Sequence, residues 1–183
     1  MRLFTGIDFP QQVVDSIEQL LAQLKPAARI RWSPTGNLHL TTKFIGEWPE
    51  DRLADLNSAL AAIPVSGPIT IGIRGLGFFP NAKSPRVFWA GIDAPPQLAE
   101  LAGATDRALE ALGIEAEKRP YSPHLTLARI KEPVPLQALH ERIGKLPSQD
   151  FGEFAAGRFF LYRSKLSPAG SVYTRLSEFP LEK

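Results

Sequence analysis

The sequence predicts an α+β fold built of two similar halves that face each other. Three observations predict it. Strand-like and helix-like periodicities mix along the chain without the long regular alternation of a doubly wound sheet. The helical stretches are short, amphipathic and punctuated by proline and glycine. One strand text, a histidine followed by leucine and threonine, occurs twice in matched surroundings.

Taken in order, Arg2 to Asp8 reads as a first strand. Pro10 opens a helix whose Val13, Val14, Ile17, Leu20, Leu21 and Leu24 recur at helical spacing, and Pro26 stops it. Ile30 to Trp32 reads as a short strand and Ser33 to Asn37 as turn chemistry. Leu38 to Ile45 is a strand. Pro49-Glu50-Asp51 opens a second helix carrying Leu53, Leu56, Leu60 and Ile63. After a break at Pro64 to Pro68, Ile69 to Ile73 alternates like a strand, and Gly75 to Pro85 reads as a loop containing Phe78 and Phe79. Arg86 to Ile92 is strand-like. Pro95-Pro96 leads a third helix, with Leu98, Leu101, Ala104, Ala108, Leu109 and Leu112 on its buried face and Gly113 ending it. Tyr121 to Ile130 is a strand and Pro133 to Leu146 a weaker fourth helix. Phe159 to Arg163 and Ser171 to Ser177 read as closing strands across a Pro168-Ala169-Gly170 turn.

The 183 residues suit a single domain, compact or divided into two small lobes around a cleft. No stretch is long and apolar enough to cross a bilayer. The N-terminus is interrupted by Asp8 and Pro10 before a signal peptide's apolar region would be complete. The chain has no cysteine, which excludes disulfides, thiolate metal sites and cysteine nucleophiles. The expectation is a cytoplasmic protein. Its net charge of +2 is small, and the pI of about 9.0 gives mild support for an anionic ligand. Placement says more. Arg29 and Arg31 precede the first histidine motif, Lys118 and Arg119 precede the second, and Arg129 and Lys131 follow it.

The repeat runs deeper than three residues. Leu38-His39-Leu40-Thr41-Thr42 resembles Pro123-His124-Leu125-Thr126-Leu127. Glu47 and Glu132 follow at matching distance, and Pro49 and Pro133 then lead into amphipathic helices. The period is too long for a solenoid. It predicts a duplication with pseudo-twofold symmetry.

Two of the chain's three histidines lie in this context. Side chains alternate along a strand. His39 therefore shares a face with Thr41, and His124 with Thr126, while Leu40 and Leu125 anchor the strands behind. Two such strands facing each other would offer two imidazoles and two hydroxyls to one point. That set suits phosphodiester chemistry. A neutral imidazole takes a proton from water, and an imidazolium gives one to the departing alkoxide. An unperturbed pKa of about 6.5 lets both forms exist near neutral pH. The hydroxyls can bond nonbridging phosphate oxygens, and an arginine can grip two oxygens at once. His140, on a predicted helix, lacks the context and reads as an ordinary side chain.

Strict alternation places Arg129 on the face opposite His124 unless the strand ends or bulges after Thr126. It places Lys43 on the face of His39, as the fallback cation. A catalytic zinc wants three protein ligands, and neither a His-x-x-x-His pair nor a carboxylate at diagnostic spacing is present. Phosphate-cradling loops and nucleophile elbows are also absent, and Gly72 to Gly77 reads as a turn or bulge.

The paired motifs His39-Leu40-Thr41-Thr42 and His124-Leu125-Thr126-Leu127 resemble those of the 2H phosphoesterases. Asn37 to Gly46, Phe78-Phe79-Pro80, Pro85 to Trp89, Arg119 to Arg129, Ser164-Lys165-Leu166 and Tyr173 narrow the likeness to the RNA 2′,3′-cyclic phosphodiesterases, formerly called 2′-5′ RNA ligases. The likeness covers nearly the whole chain. It implies a bilobal α+β domain over residues 1–183, with antiparallel sheets lining a central cleft and helices outside. It implies hydrolysis of RNA 2′,3′-cyclic phosphate ends to 2′-phosphomonoesters without metal or cofactor, by a monomer. His39 corresponds to the proton donor, His124 to the proton acceptor, Thr41 and Thr126 to phosphate-contacting threonines and Arg129 to a phosphate-binding arginine. Thr42 departs from the family, where an apolar residue is usual. Five aromatics near motif text, Phe9, Phe44, Phe79, Trp89 and Tyr121, are candidates to hold a base. A noncatalytic RNA-end or nucleotide-binding module, 2′-5′ ligation as the reverse reaction, and a metal-dependent phosphodiesterase remain open alternatives.

Overall fold

The computed structural model describes residues 1–168 and 170–182. Ala169, in the expected closing turn, lies outside them. The elements run β1 (Arg2–Asp8), α1 (Gln11–Leu24), β2 (Arg31–Trp32), β3 (His39–Glu47), α2 (Leu53–Ala61), β4 (Ile69–Phe79), β5 (Val87–Asp93), α3 (Pro96–Glu110), β6 (His124–Arg129), α4 (Gln137–Gly144), β7 (Asp150–Ala156), β8 (Arg158–Ser167) and β9 (Gly170–Pro180). Two antiparallel sheets result, one ordered β3-β1-β8-β9 and the other β2-β6-β5-β4-β7. The mixed α+β class, with its two antiparallel sheets, is the predicted one.

The helices follow from their sequence periods. Val13, Ile17, Leu20, Leu21 and Leu24 of α1 are buried, one stripe at helical spacing. Pro10 stands just before α1 and Pro96 is the first residue of α3, positions that need no backbone donor. Gly113 takes φ +89°, the left-handed conformation that the chain adopts just beyond α3.

α1 and α3 do not pack on the sheet of the strand that precedes them. α1 leaves β1 and packs on β7 and α4, against the five-stranded sheet. α2 and α3 pack on each other and on β9 and β3, against the four-stranded sheet. One continuous core joins both helix layers to both sheets, from Leu3, Ile7, Leu40 and Phe159 to Leu125, Ala90, Phe88 and Ile71. The opposite sheet faces are left to carry the site.

Several expected boundaries move. The stretch 75–79 is not loop but the second half of β4, which passes through a bulge near Gly75 (φ +80°). Of the turn or bulge that the glycines suggested, the structure shows the bulge. β7 was not expected. Its Phe151 and Ala156 are buried, but Glu153 and Gly152 weaken its strand signal. α4 is shorter than its proline-bracketed segment.

Candidate active site

β3 lies at the edge of its sheet and β6 beside the edge strand β2 of the other. The two motif strands meet across this junction, with Cα atoms within 8 Å of each other. The Tyr121 hydroxyl, just ahead of β6, donates to the Thr41 carbonyl of β3 at 2.9 Å. Ser33 Oγ donates to the Thr126 carbonyl at 2.9 Å, and Asn37 Nδ2 to the Ser171 carbonyl of β9 at 2.6 Å. The chain between β2 and β3 thus stitches the sheets together at the motifs.

Both imidazoles are oriented in the same way. His39 Nδ1 lies 2.7 Å from the carbonyl of Asn37, and His124 Nδ1 lies 2.9 Å from the carbonyl of Ser122. In each case the partner is two residues upstream. A carbonyl only accepts, so Nδ1 carries the proton in both rings and Nε2 is left as the working atom. His39 Nε2 sits 3.1 Å from Thr41 Oγ1, the hydroxyl on its own strand face. Burial lowers the His39 pKa below its ordinary value of 6.5, and the bond to Asn37 pulls partly the other way.

Bulges decide which side chains join them. In the β5–β6 ladder Trp89 stands opposite Thr126 and Phe88 opposite Ala128, so Leu127 is an extra residue. Beyond it Arg129 pairs with Val87, on the same face as Trp89, Thr126 and His124. The bulge that the arginine needed is present. The β1–β3 ladder carries the same device: Gly6 faces Thr41 and Thr5 faces Lys43, leaving Thr42 as the extra residue. Here it has the opposite consequence for the cation. Lys43 is turned to the core face, 7% exposed, with Nζ 2.5 Å from Asp106 and 2.9 Å from the Glu115 carbonyl. The expectation that Lys43 shares the face of His39 is therefore wrong. Strict alternation fails at Thr42, and the lysine is a buried structural pair. The exposed residue that takes the place of Arg129 on β3 is Phe44, 65% exposed.

Thr42, the departure from the family pattern, is buried and shares a 2.7 Å hydrogen bond with Thr5 across the ladder. A hydroxyl in the core is tolerated because it has a partner.

Aromatic rings back each histidine. The ring of His39 lies 4.6 Å from Phe4 and 4.9 Å, edge-on, from Tyr173, with Tyr162 beyond. His124 meets Phe79 edge-on at 5.1 Å, and Phe79 leans on Trp89. Gly77 leaves the space that the Trp89 ring fills, since a Cβ there would fall 2.2 Å from it. Of the five candidate base-holding aromatics, Phe9 is core, set against Phe154. Tyr121 is committed to the lobe junction. Phe44 alone of the five is exposed. His140 is exposed on α4 and packs near Phe78, away from the motif strands.

Asp8 was missed by the sequence reading. It lies opposite His39 in the ladder, on the same face, and contacts the Tyr162 hydroxyl and Arg175. Burial pushes its carboxyl up to about 6. A signal was available. Gly6-Ile7-Asp8-Phe9-Pro10 recurs as Gly91-Ile92-Asp93-Ala94-Pro95, at the same offset as His39 and His124. The two copies are not used alike. β5 is slid two residues against β6, so Gly91 rather than Asp93 faces His124, and Asp93 is held by Arg74 at 2.7 Å. Among the described residues no group of three or more His, Asp or Glu side chains is arranged to hold a metal ion.

The family model described as LigT like Phosphoesterase matches twice, over residues 7–89 and 91–173. The RNA 2′,3′-cyclic phosphodiesterase of Methanocaldococcus jannaschii is 37% identical over 98% of this chain and 100% of its own length. That of Thermus thermophilus is 36% identical over 99% of this chain and 90% of its own. Among solved structures, a Thermus thermophilus protein superposes with a TM-score of 0.82 at 33% identity, covering 99% of this chain and 98% of that one. Escherichia coli LigT complexed with 3′-AMP gives a TM-score of 0.80 at 27% identity, covering 100% and 98%. With the family model matching residues 7–89 and 91–173 and relatives above 30% identity over 90% or more of their length, the chain belongs to the LigT-like family of 2H phosphoesterases.

Proposed function

We propose that this protein opens 2′,3′-cyclic phosphate ends of RNA to 2′-phosphomonoesters, with His39 and His124 as its proton-transfer pair. One observation carries the reading: two imidazoles on adjoining strands, each with Nδ1 tied to a carbonyl two residues upstream and Nε2 left to work. The relatives' shared name, RNA 2′,3′-cyclic phosphodiesterase, supplies the substrate class.

In the proposed step His124 Nε2 takes a proton from water as its oxygen bonds to phosphorus. The bond from phosphorus to O3′ breaks. Protonated His39 gives its Nε2 proton to O3′, leaving a free 3′-hydroxyl and a 2′-phosphate. The products are those of adding one water, and solvent exchange resets both rings. Thr41 and Thr126, on the same faces as the histidines, hold nonbridging oxygens, and the Arg129 guanidinium offsets the charge that builds on them. Phe44, exposed on the His39 face, is the platform for the terminal base. The chemistry asks nothing of a metal or cofactor. We read residues 1–183 as one bilobal domain made by internal duplication, in keeping with the double family match and the repeated Gly-Ile-Asp-x-Pro text. We place it in the cytoplasm as a monomer. No helix of the described residues is long and apolar enough to cross a membrane.

The test is an oligonucleotide ending in a 2′,3′-cyclic phosphate. The expected product carries phosphate on O2′ only. His39→Ala and His124→Ala should each lose on the order of 10²–10⁴-fold in kcat, the usual worth of a general acid or base. Wild-type turnover in either variant overturns the mechanism.

A further inference from the structure

We infer that the site continues into a track for the sugar–phosphate backbone upstream of the cyclic end, formed by Arg29, Arg31 and Lys131 beside Arg129. The inference rests on the reading above and deepens it: the substrate is a polynucleotide, not a cyclic mononucleotide.

Arg31 of β2 stands directly opposite Arg129 of β6. Directly opposed residues of an antiparallel pair share a face, so Arg31 lies on the face of His124 and Thr126. Arg29 and Lys131 lie two residues beyond this pair along each chain segment. All four are exposed, and they line one groove of about 160 Å³ floored by Ile30 and Ile130. The groove's single carboxylate is Glu132. Like charges set opposite each other oppose the pairing of their strands. A chain that keeps such a cluster without neutralising it leaves it for an external anion.

Among the described residues some cations of this chain are paired and others, such as Arg86, Arg107, Arg119 and Lys145, are not; what marks this groove is four unpaired ones in one place. Arg74 gathers Asp93, Asp150 and Glu153. Arg52, Arg158 and Arg175 each have a carboxylate, and so do Lys43 and Lys118. Among the described residues none of Arg29, Arg31, Arg129 and Lys131 forms an ion pair within 4 Å.

Position selects the ligand. His124, Thr126 and Arg129 share one face of β6, and Lys131 lies two residues further on, in the groove that Arg129 lines. At about 3.3 Å per residue the row is roughly 20 Å long, more than one nucleotide. Arg31 Nη2 comes within 4.0 Å of where a side chain on Gly170 would begin, so the row borders the β8–β9 turn of the other sheet. A polyanion whose last phosphate sits between the histidines would lay its preceding phosphates along these cations.

The test uses the whole protein with two substrates, 2′,3′-cyclic AMP and a hexanucleotide ending in a 2′,3′-cyclic phosphate. The variant is Arg29→Gln, Arg31→Gln and Lys131→Gln combined. The expected result is a tenfold or larger rise in KM for the hexanucleotide, with kcat kept and kcat/KM on 2′,3′-cyclic AMP unchanged. The salt dependence of hexanucleotide binding, read by fluorescence anisotropy, should flatten by a slope of about 2, from ~0.7 per phosphate contact on a single strand. Equal losses on both substrates, or an unaltered hexanucleotide KM and salt slope, overturn the track. If the wild type turns over neither substrate, the proposed function fails. Anisotropy then still decides the track, which stands if the variant binds the hexanucleotide more weakly with the flatter slope and falls if it does not.

Discussion

His39 is held by its surroundings in a state that opposes its proposed task. Burial favours the neutral ring, yet a proton donor must start charged. In the free enzyme kcat/KM therefore falls as pH rises through a His39 pKa below 6.5. A bound phosphodiester anion favours the imidazolium and moves that pKa up. The alkaline limb of kcat should then lie at higher pH than that of kcat/KM, which rate profiles on the hexanucleotide would show. Coincident limbs well above pH 7 would remove His39 from the donor role. Three other residues test the packing. Thr5→Val leaves the Thr42 hydroxyl buried without its partner and should cost about 1–3 kcal/mol in urea unfolding. Thr5→Val with Thr42→Val removes both groups and should cost much less than the two single changes added. Lys43→Ala strands Asp106 and should lower stability by roughly 3 kcal/mol while kcat stays within a few-fold. A large fall in kcat without loss of stability would restore Lys43 as a site cation.

At the scale of elements, the bulges at Thr42 and Leu127 do the most for function. The His-Leu-Thr text was legible because its residues obey alternation up to the threonine. The faces of the residues beyond the threonine were not legible, because one inserted residue reverses every later face. That reversal brings Arg129 to the face of His124 and turns Lys43 away from the face of His39. Gly6 is what lets β1 approach β3 beside the bulge. A Cβ there would fall 2.8 Å from the Leu40 carbonyl oxygen and 3.6 Å from the His39 ring. Gly6→Ala should displace β3 and lower kcat by ten- to a hundredfold, as ångström-scale misplacement of a catalytic group does. Gly36→Ala, where nothing lies within 4 Å, is the matched control and should keep wild-type kcat. The second half of β4 and the whole of β7 escaped the sequence reading for a related reason. Glycines and charged residues interrupt their alternation, and it is ladder partners in β5 and β4 that hold them extended.

At the scale of the molecule, two similar halves do not make two independent units. The four-stranded sheet needs β8 and β9 from the C-terminal end beside β1 and β3. α1 buries its apolar stripe on β7 and α4, elements of the other half. Residues 1–90 alone would leave that stripe bare, and residues 91–183 alone would lack β4, to which both β5 and β7 pair. Each fragment should show no cooperative thermal transition by circular dichroism, although the family model matches both. A folded half would contradict the interleaving.

The sequence by itself determined the α+β class, the repeat, the paired His-x-Thr motifs and the face each imidazole shares with its threonine. These depend on local periods of two and 3.6 residues, which a linear text records. The tertiary structure decided the rest. It turned Arg129 to the face of His124 and Lys43 to the core, put Asp8 beside His39, and gathered Arg29, Arg31 and Lys131 into one groove with Arg129. Those outcomes depend on ladder registers and bulges between strands far apart in the chain, which are set by packing that no local window contains.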